Sequence, residues 1–365
     1  MGGENILVTG AAGFIGGSIV ADFVAGIVPS VKQENIVAAV RSEEQAKAIS
    51  DTGVKAIRLD LSNADAVADS IQAQDISIVI HLASSLYANL AVNLIDGLSK
   101  REEATGKHGH FIHTSGMSAF MAGSGWPADK LNATSDDIFE TEKRLADSYP
   151  VRSTDVTVIE HAQAKGVDSY IVIPCITHGT GTGAWNQLSV NLPISIRASL
   201  DAKQVHRFQE DITASYVHVS DLTALYGRLT EKIIQNEKPP SGQKGYYFST
   251  AYQMSSREFS EQLAAALYTR GLVSSDQPKV WSSLEAAAAG HGVPVEFVHH
   301  IWNSGDVAST SGIGKAGKIG WAPQWDKARL FSNINNEIDA VLELGQAKSS
   351  LVDALWATAG RPKPN

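Results

Sequence analysis

The segment from Asn5 to Gly16, NILVTGAAGFIG, constrains the fold more than any other stretch of the chain. A short apolar, strand-like run leads straight into three glycines spaced Gly-x-x-Gly-x-x-Gly, after which the pattern becomes helical. Gly10 permits the tight turn that such a junction needs, Gly13 lets an anionic group approach bare backbone, and Gly16 lets helix and strand pack closely. The first amides of the helix have no intrahelical partner and lie at the positive end of its dipole, so they suit a pyrophosphate. The segment therefore predicts a dinucleotide-binding strand-turn-helix unit, with Phe14 and Ile15 in the first helical turn beside the phosphates.

Five further apolar runs repeat the theme: Ile36 to Val40, Val54 to Leu59, Ile76 to Leu82, Phe111 to His113 and Tyr170 to Ile173, with helical stretches between them. This alternation predicts an α/β fold, a doubly wound parallel Rossmann sheet covered by helices on both faces. The regular pattern ends near Pro174. Residues 1–175 are thus expected to form the dinucleotide-binding core and residues 176–365 a smaller, mostly helical substrate lobe. Within that lobe about residues 215–250, with strand-like Tyr216 to Val219 and Tyr246 to Ser249, are expected to return to the core. Trp321 to Trp325 reads as a cap on the lobe, and Arg361 to Asn365 as a frayed tail.

With 30 Lys and Arg against 39 Asp and Glu, the net charge of -9 gives no electrostatic support for nucleic acid or an anionic membrane surface as partner. No apolar run reaches membrane-spanning length, and the N-terminus shows no leader pattern. The single cysteine, Cys175, excludes an internal disulfide and suits a reducing compartment, so the cytoplasm is the expected location.

Several segments, in order and spacing, resemble the extended branch of the short-chain dehydrogenase/reductase superfamily, which includes epimerase/dehydratase-like proteins. These are the glycine spacing itself, Asp60-Leu61 after the third run, His81-Leu82-Ala83-Ser84 after the fourth, and Tyr216 to Leu222. The resemblance implies that Asp60 and Leu61 contact adenine, that Leu82, Ala83 and Ser84 pass beside the nicotinamide ribose, and that Pro174 marks where the chain turns past the nicotinamide. It also implies a homodimer. Cofactor type is legible at the end of the second run, where an acidic residue would accept hydrogen bonds from the adenosine ribose. Here the residues are Ala38-Ala39-Val40-Arg41-Ser42, and Arg41 suits a 2'-phosphate, which favours NADP(H) over NAD(H). The alternative is that Arg41 stacks on adenine or faces solvent.

The catalytic pattern departs from that family. Its reductases use a tyrosine as proton donor, a lysine four residues later that favours the phenolate, and a nearby hydroxyl that polarises the substrate. Four residues beyond Tyr149 stands Ser153, Tyr170 belongs to a strand, and Lys143 is preceded at that offset by Phe139. Arg152, with its planar fork, is a poor stand-in for the lysine. The usual serine position matches Gly116, flanked at short range by Ser115 and Ser118. Ser115 and Tyr149 are the catalytic candidates, with Tyr87 and His178 as unusual acids. Three classes stay open: an NADP(H)-dependent oxidoreductase acting on a small carbonyl or alcohol, a redox-neutral isomerase, cyclase or lyase, and a non-catalytic NADP(H)-binding sensor.

Trp126 and Trp185 fall in segments expected to rise over the nicotinamide, where they suit an aromatic or apolar small-molecule substrate, with core packing as the alternative. His108, His110 and His113 have a metal-like spacing, but the first two lie in a polar loop and the third ends a buried strand with no carboxylate beside it in sequence. No metal site is expected. Cys175 lacks an adjacent base and reads as packing.

Overall fold

The computed structural model describes residues 4–127, 137–302, 314–348 and 351–360. Arg361 to Asn365, the expected frayed tail, lies outside the described residues.

Most of the apolar runs become strands because their Val, Ile and Ala side chains can be buried on both faces of a sheet, whereas the edge strand β3 (Lys55–Arg58) leaves Lys55 and Arg58 exposed. The core alternates β1 (Asn5–Thr9), α1 (Phe14–Val24), β2 (Ile36–Val40), α2 (Glu43–Ser50), β3 (Lys55–Arg58), α3 (Ala64–Ala73), β4 (Ile76–His81), α4 (Ala88–Thr105) and β5 (His110–Thr114). It continues through α5 (Ile138–Arg144), α6 (Pro150–Ala164) and β6 (Asp168–Ile173). Local chemistry sets the boundaries. Ser42 and Gln45 form a capping box at the start of α2, Pro150 opens α6, and Gly106 at φ 70° ends α4 in the left-handed region.

The central sheet has seven parallel strands in the order β10-β6-β5-β4-β1-β2-β3, where β10 is Tyr246–Phe248. The chain leaves β1 in one direction to β2 and β3, then crosses to β4 on the other side. The crevice at the carboxyl ends of β1 and β4 is therefore the topological switch point, where open α/β sheets bind ligands. In-register pairs Thr9 with His81 and His81 with His113 align the ends of β1, β4 and β5 at that edge.

Beyond β6 come β7 (Ile176–His178), α7 (Asn191–Ala202), β8 (His206–Arg207), β9 (Thr213–His218) and α8 (Val219–Ile234), then β10, β11 (Tyr252–Ser255), α9 (Ser256–Thr269) and β12 (Lys279–Val280). The C-terminal elements are helices α10 (Leu284–His291), α11 (Val295–Trp302), α12 (Gly314–Lys318), α13 (Lys327–Ser332), α14 (Ile334–Leu344) and α15 (Leu351–Thr358). This part is mostly helical, but it holds two small sheets, β11-β9-β7 and β12-β8. Its own core gathers Leu192, Tyr216, Phe259, Leu263, Leu330 and Ile338. The return to the main sheet is made by β10, which adds to the outer edge of β6, and by α8, whose Leu222, Leu225, Tyr226 and Leu229 pack into the main core. Among the described residues no helix is long and apolar enough to cross a membrane.

Trp321 Nε1 donates to the carbonyl of Asp221 at 2.7 Å, while the buried Asp221 carboxylate accepts the backbone N–H groups of Gln324 and Trp325, both at 2.9 Å. The segment expected to cap the lobe thus ties itself to the first turn of α8.

Candidate functional site

Gly10, directly after β1, sits at φ +68°. A Cβ there would lie 2.7 Å from the carbonyl oxygen of Leu82 and 2.9 Å from the nitrogen of Ala83. The turn after β1 and the segment after β4 therefore meet backbone to backbone, which places Leu82, Ala83 and Ser84 beside the glycine turn. Gly13 donates to the Gly10 carbonyl at 2.8 Å and stands at the N-cap of α1, with no side-chain cap and no acid in the first turn. Phe14, Ile15 and Gly16 follow in that turn. The positive end of α1 is thus left for an anion, and its first amides, with no side chain capping them, suit a pyrophosphate.

Around this cradle the other expected cofactor contacts fall in sequence along the sheet edge. Arg41 lies exposed just past the end of β2, its backbone N–H held by Gln45 Oε1 at 3.1 Å. Asp60 is also exposed; its Oδ1 accepts the amide and hydroxyl of Ser62 at 2.9 and 2.7 Å, which hold its carboxyl below the usual range. Leu61 is buried, and its carbonyl accepts from Asn93 at 2.9 Å. Ser84 Oγ accepts from the Leu86 amide at 3.0 Å, and the Pro174 carbonyl accepts from the Met117 amide at 3.0 Å, clamping the segment after β5 to the end of β6.

The Gly-Thr loop after β7 packs directly on α1. Gly183 rests against Gly17, Gly181 against Phe14, and the Thr182 amide donates to Ser18 Oγ at 3.2 Å. His178 anchors the other end. Its Nδ1 lies 3.1 Å from Glu337 and its Nε2 2.7 Å from the Tyr252 hydroxyl, and Glu337 also accepts the Gly179 amide at 2.7 Å. His178 is buried and both its ring nitrogens are engaged, so it ties β7 to β11 and α14 within the C-terminal part of the chain.

The catalytic candidates are divided between an interior network and a helix end. The Ser115 hydroxyl donates to Asp155 of α6, and His113 Nε2 lies 3.3 Å from the other oxygen of that carboxylate. His113 stacks on His81 with ring centroids 5.6 Å apart, and His81 Nδ1 shares a 2.8 Å hydrogen bond with Thr9 Oγ1. Burial, with His113 beside it, holds His81 down to about 3. The sequence offered no carboxylate beside His113; the fold supplies Asp155 from forty-two positions downstream. Near it, Glu142 accepts a 2.5 Å hydrogen bond from the Tyr246 hydroxyl, and burial together with Asp155 pushes its carboxyl well above the usual range.

Tyr149 caps the start of α6, half-buried, with its ring 5.4 Å from the Arg152 guanidinium. Arg152 is itself buried and points inward, donating to the Ala119 carbonyl, Ser148 Oγ and Ser124 Oγ at 2.5, 3.0 and 2.9 Å. It braces the segment after β5. Lys143 turns away to Glu160 at 2.7 Å. Tyr87 is exposed at the start of α4. Trp126 is buried against Phe120, ring centroids 4.9 Å apart, which settles it as core, whereas Trp185 is half-buried with Lys348 Nζ 4.4 Å from its ring centroid. Burial pushes the Cys175 thiol up to about 12, in keeping with packing.

Asp155 was missed in the sequence, although a signal existed. Val151, Asp155, Ile159 and Ala162 recur at helical spacing, which places a lone carboxylate on the buried face of α6.

A seven-stranded parallel sheet, a glycine turn at its switch point and a C-terminal lobe tied to the same edge define a Rossmann protein of the extended short-chain dehydrogenase/reductase class. The family model for the NAD dependent epimerase/dehydratase family matches residues 6–241, and the chain belongs to that family. Similar solved structures include a UDP-glucose 4-epimerase of Thermotoga maritima with UDP-glucose, at 16% identity and TM-score 0.61, covering 94% of this chain and 100% of that one. Others are the dTDP-glucose 4,6-dehydratase DesIV of Streptomyces venezuelae with NAD bound, at 16% identity and TM-score 0.60 over 93% and 97% of the two chains, and vestitone reductase of alfalfa, at 18% and 0.59 over 93% and 99%. At such identities the likeness carries the fold. No curated protein sequence matches the chain. The family supports a nucleotide-dependent, oxidoreductase-type activity.

Proposed function

We propose that this chain binds NADP(H) in preference to NAD(H) and oxidises or reduces a small carbonyl or alcohol substrate of aromatic or apolar character in the cytoplasm. The observation that carries the cofactor choice is Arg41. It is exposed at the end of the strand beside β1, where the neighbouring positions Ala39, Val40 and Ser42 bring no carboxylate to a ribose hydroxyl. Backbone around Gly10 and Gly13, with Phe14 and Ile15, holds the pyrophosphate; Asp60 and Leu61 border the adenine, and Leu82, Ala83, Ser84 and Pro174 the nicotinamide side. The bound cofactor supplies or accepts hydride. Tyr149, at the start of α6, is the proton donor, and Ser115, once released from Asp155, hydrogen-bonds the substrate oxygen. Half-buried Trp185 supports the apolar character of the substrate.

A second reading, binding without turnover, is favoured by one observation: the Ser115 hydroxyl is spent on Asp155, and the donors of Arg152 on the segment after β5. Calorimetric titration with NADPH and NADH, followed by nicotinamide absorbance over a panel of aromatic and aliphatic carbonyls, separates the readings. Tighter NADPH binding with consumption of cofactor is the expected result. NADPH binding with no turnover, and affinities that differ between oxidised and reduced cofactor, establish the sensor. Substrate conversion with no net absorbance change assigns redox-neutral chemistry, and equal or tighter binding of NADH overturns the cofactor assignment.

A further inference from the structure

At the opposite edge of the sheet from the glycine turn, a second group of side chains converges. His110 is the first residue of β5 and pairs in register with Asp168, the first residue of β6. His108, two positions before His110, presents its ring on the same side, and the two imidazoles meet edge to face with centroids 5.0 Å apart. One nitrogen of each ring and a carboxylate oxygen of Asp168 all lie within 4.8 Å of one another, the only such group among the described residues. Sequence spacing alone pointed to His108, His110 and His113, but His113 faces the interior at the other end of β5. The third member comes instead from the neighbouring strand, sixty positions beyond His108.

We propose that His108, His110 and Asp168 form a binding site for a divalent transition metal of the zinc class. The separations suit one ion. Ligand atoms about 2.1 Å from a tetrahedral ion stand about 3.4 Å apart, and here His108 Nε2 lies 3.0 Å and His110 Nδ1 3.9 Å from Asp168 Oδ2. Two imidazoles and one carboxylate select for zinc, cobalt, nickel or copper over magnesium or calcium.

The surrounding contacts are those of an oriented ligand set. Glu102, in the last turn of α4, holds the other nitrogen of His108, Nδ1, at 3.1 Å through one oxygen, while its second oxygen accepts the Gly109 amide at 3.1 Å. In this structure His108 Nε2 is hydrogen-bonded to Asp168 Oδ2, and with Glu102 on Nδ1 the imidazole keeps its Nδ1 proton when a metal displaces the one on Nε2. On the far side, Ser241 donates to Asp168 Oδ1 at 2.9 Å and leaves Oδ2 directed at the imidazoles. The Tyr170 hydroxyl stands 3.4 Å from His110 Nδ1, long for a hydrogen bond. His108 and Asp168 are 46% and 41% exposed, so an ion enters from solvent and a fourth position stays open to water. An ion here joins α4, β5 and β6, and this assignment is independent of the proposed dinucleotide chemistry.

Cobalt(II) added to the metal-free full-length chain tests it, because tetrahedral cobalt has visible absorption bands that octahedral aqueous cobalt lacks at comparable intensity. The expected result is one equivalent bound with those bands, displaced by zinc, together with a rise in unfolding temperature when zinc is present. His108→Gln and Asp168→Asn each lose more than tenfold in affinity while keeping the wild-type circular dichroism in EDTA. His161→Gln, which removes a different histidine–carboxylate pair with Asp96, leaves binding unchanged. Glu102→Gln weakens affinity less than either ligand variant. Absence of the tetrahedral bands, or equal loss of binding in His161→Gln and His108→Gln, overturns the site and leaves His108 as the centre of an ion-pair network with Glu102 and Asp168.

Discussion

The glycine-turn helix and the Gly-Thr loop after β7 meet without side chains where Gly183 lies on Gly17 of α1. A Cβ on Gly183 would stand 2.7 Å from the Gly17 Cα and 2.8 Å from its carbonyl carbon. Carbon atoms in contact prefer about 3.5 to 4.0 Å, so Gly183→Ala forces backbone apart by roughly 1 Å at a point with no flexible neighbour to yield. Overpacking of this kind costs about 1–3 kcal/mol, and with backbone on both sides the upper half of that range is expected. The reciprocal change is milder. A Cβ on Gly17 meets the Gly183 Cα at 3.1 Å and the Ala11 carbonyl oxygen at 3.2 Å. Because Gly17 lies inside α1, alanine there also recovers about 0.8–1 kcal/mol of helix propensity. Gly17→Ala is therefore expected within about 1 kcal/mol of wild type, and Gly183→Ala about 2 kcal/mol or more below it. Urea unfolding followed by circular dichroism measures both. Since Thr182 is bonded to Ser18 in the second turn of α1, NADPH titration of Gly183→Ala should also show weakened binding. A Gly183→Ala protein as stable as wild type, or a Gly17→Ala protein less stable than the Gly183→Ala protein, refutes the reasoning.

Three further outcomes are expected. Gly10→Ala combines a left-handed φ, costing about 1–2 kcal/mol for a residue with a Cβ, with overlap on the Leu82 carbonyl, so calorimetry should detect no dinucleotide binding even where the protein folds. Arg41→Ala should weaken NADPH by about tenfold or more, as expected for loss of a charged hydrogen bond, with NADH affinity unchanged; equal losses for both cofactors count against a 2'-phosphate contact. The pH dependence of stability sets two buried groups against each other. His81 titrates near 3 when folded and near 6.5 when unfolded, so the unfolded state holds more protons between those values and stability rises with pH across that window, by up to about 1.4 kcal/mol per unit. Glu142, raised in the folded state, takes up its proton more readily there and makes stability fall as pH climbs above 4.5. Glu142→Gln removes the second effect, so its stability should climb more steeply than that of wild type between pH 4.5 and 6.5 in denaturation series; a shallower climb rejects the assignment to Glu142.

The sheet was legible because parallel strands buried on both faces are written as largely apolar runs; the runs at Ile6, Ile36, Ile76, Phe111 and Tyr170 become strands within a residue or two, and the half-exposed edge strand β3 follows the interrupted run at Val54. The position of β10 beside β6 was not, since three residues, Tyr246 to Phe248, carry no register information by themselves. The glycine turn was legible for the same reason that it works: its chemistry is local, with Gly10 and Gly13 bonded to each other across three positions. The partners of the catalytic candidates are non-local. Asp155 reaches Ser115 and His113 across the packing of α6 on β5, and Arg152, weighed in sequence as a surrogate for the missing lysine, is turned inward by three oxygen acceptors contributed by the segments 119–124 and 148. His178 shows the same limit, because neither Glu337 nor Tyr252 is near it in the chain.

The attachment of Trp321 to Trp325 onto α8 bears on how far this protein can be shortened. Residues 6–241 contain the glycine turn and everything that the family model matches. Yet a fragment ending there lacks β10 and so bares the hydrogen-bonding edge of β6. It also lacks Tyr246, the donor to Glu142, and the two amides that solvate the Asp221 carboxylate. Two buried carboxylates and one open sheet edge would be left without their partners, so residues 6–241 are not a separable module: the nucleotide fold is finished by a strand and by backbone amides that follow residue 241.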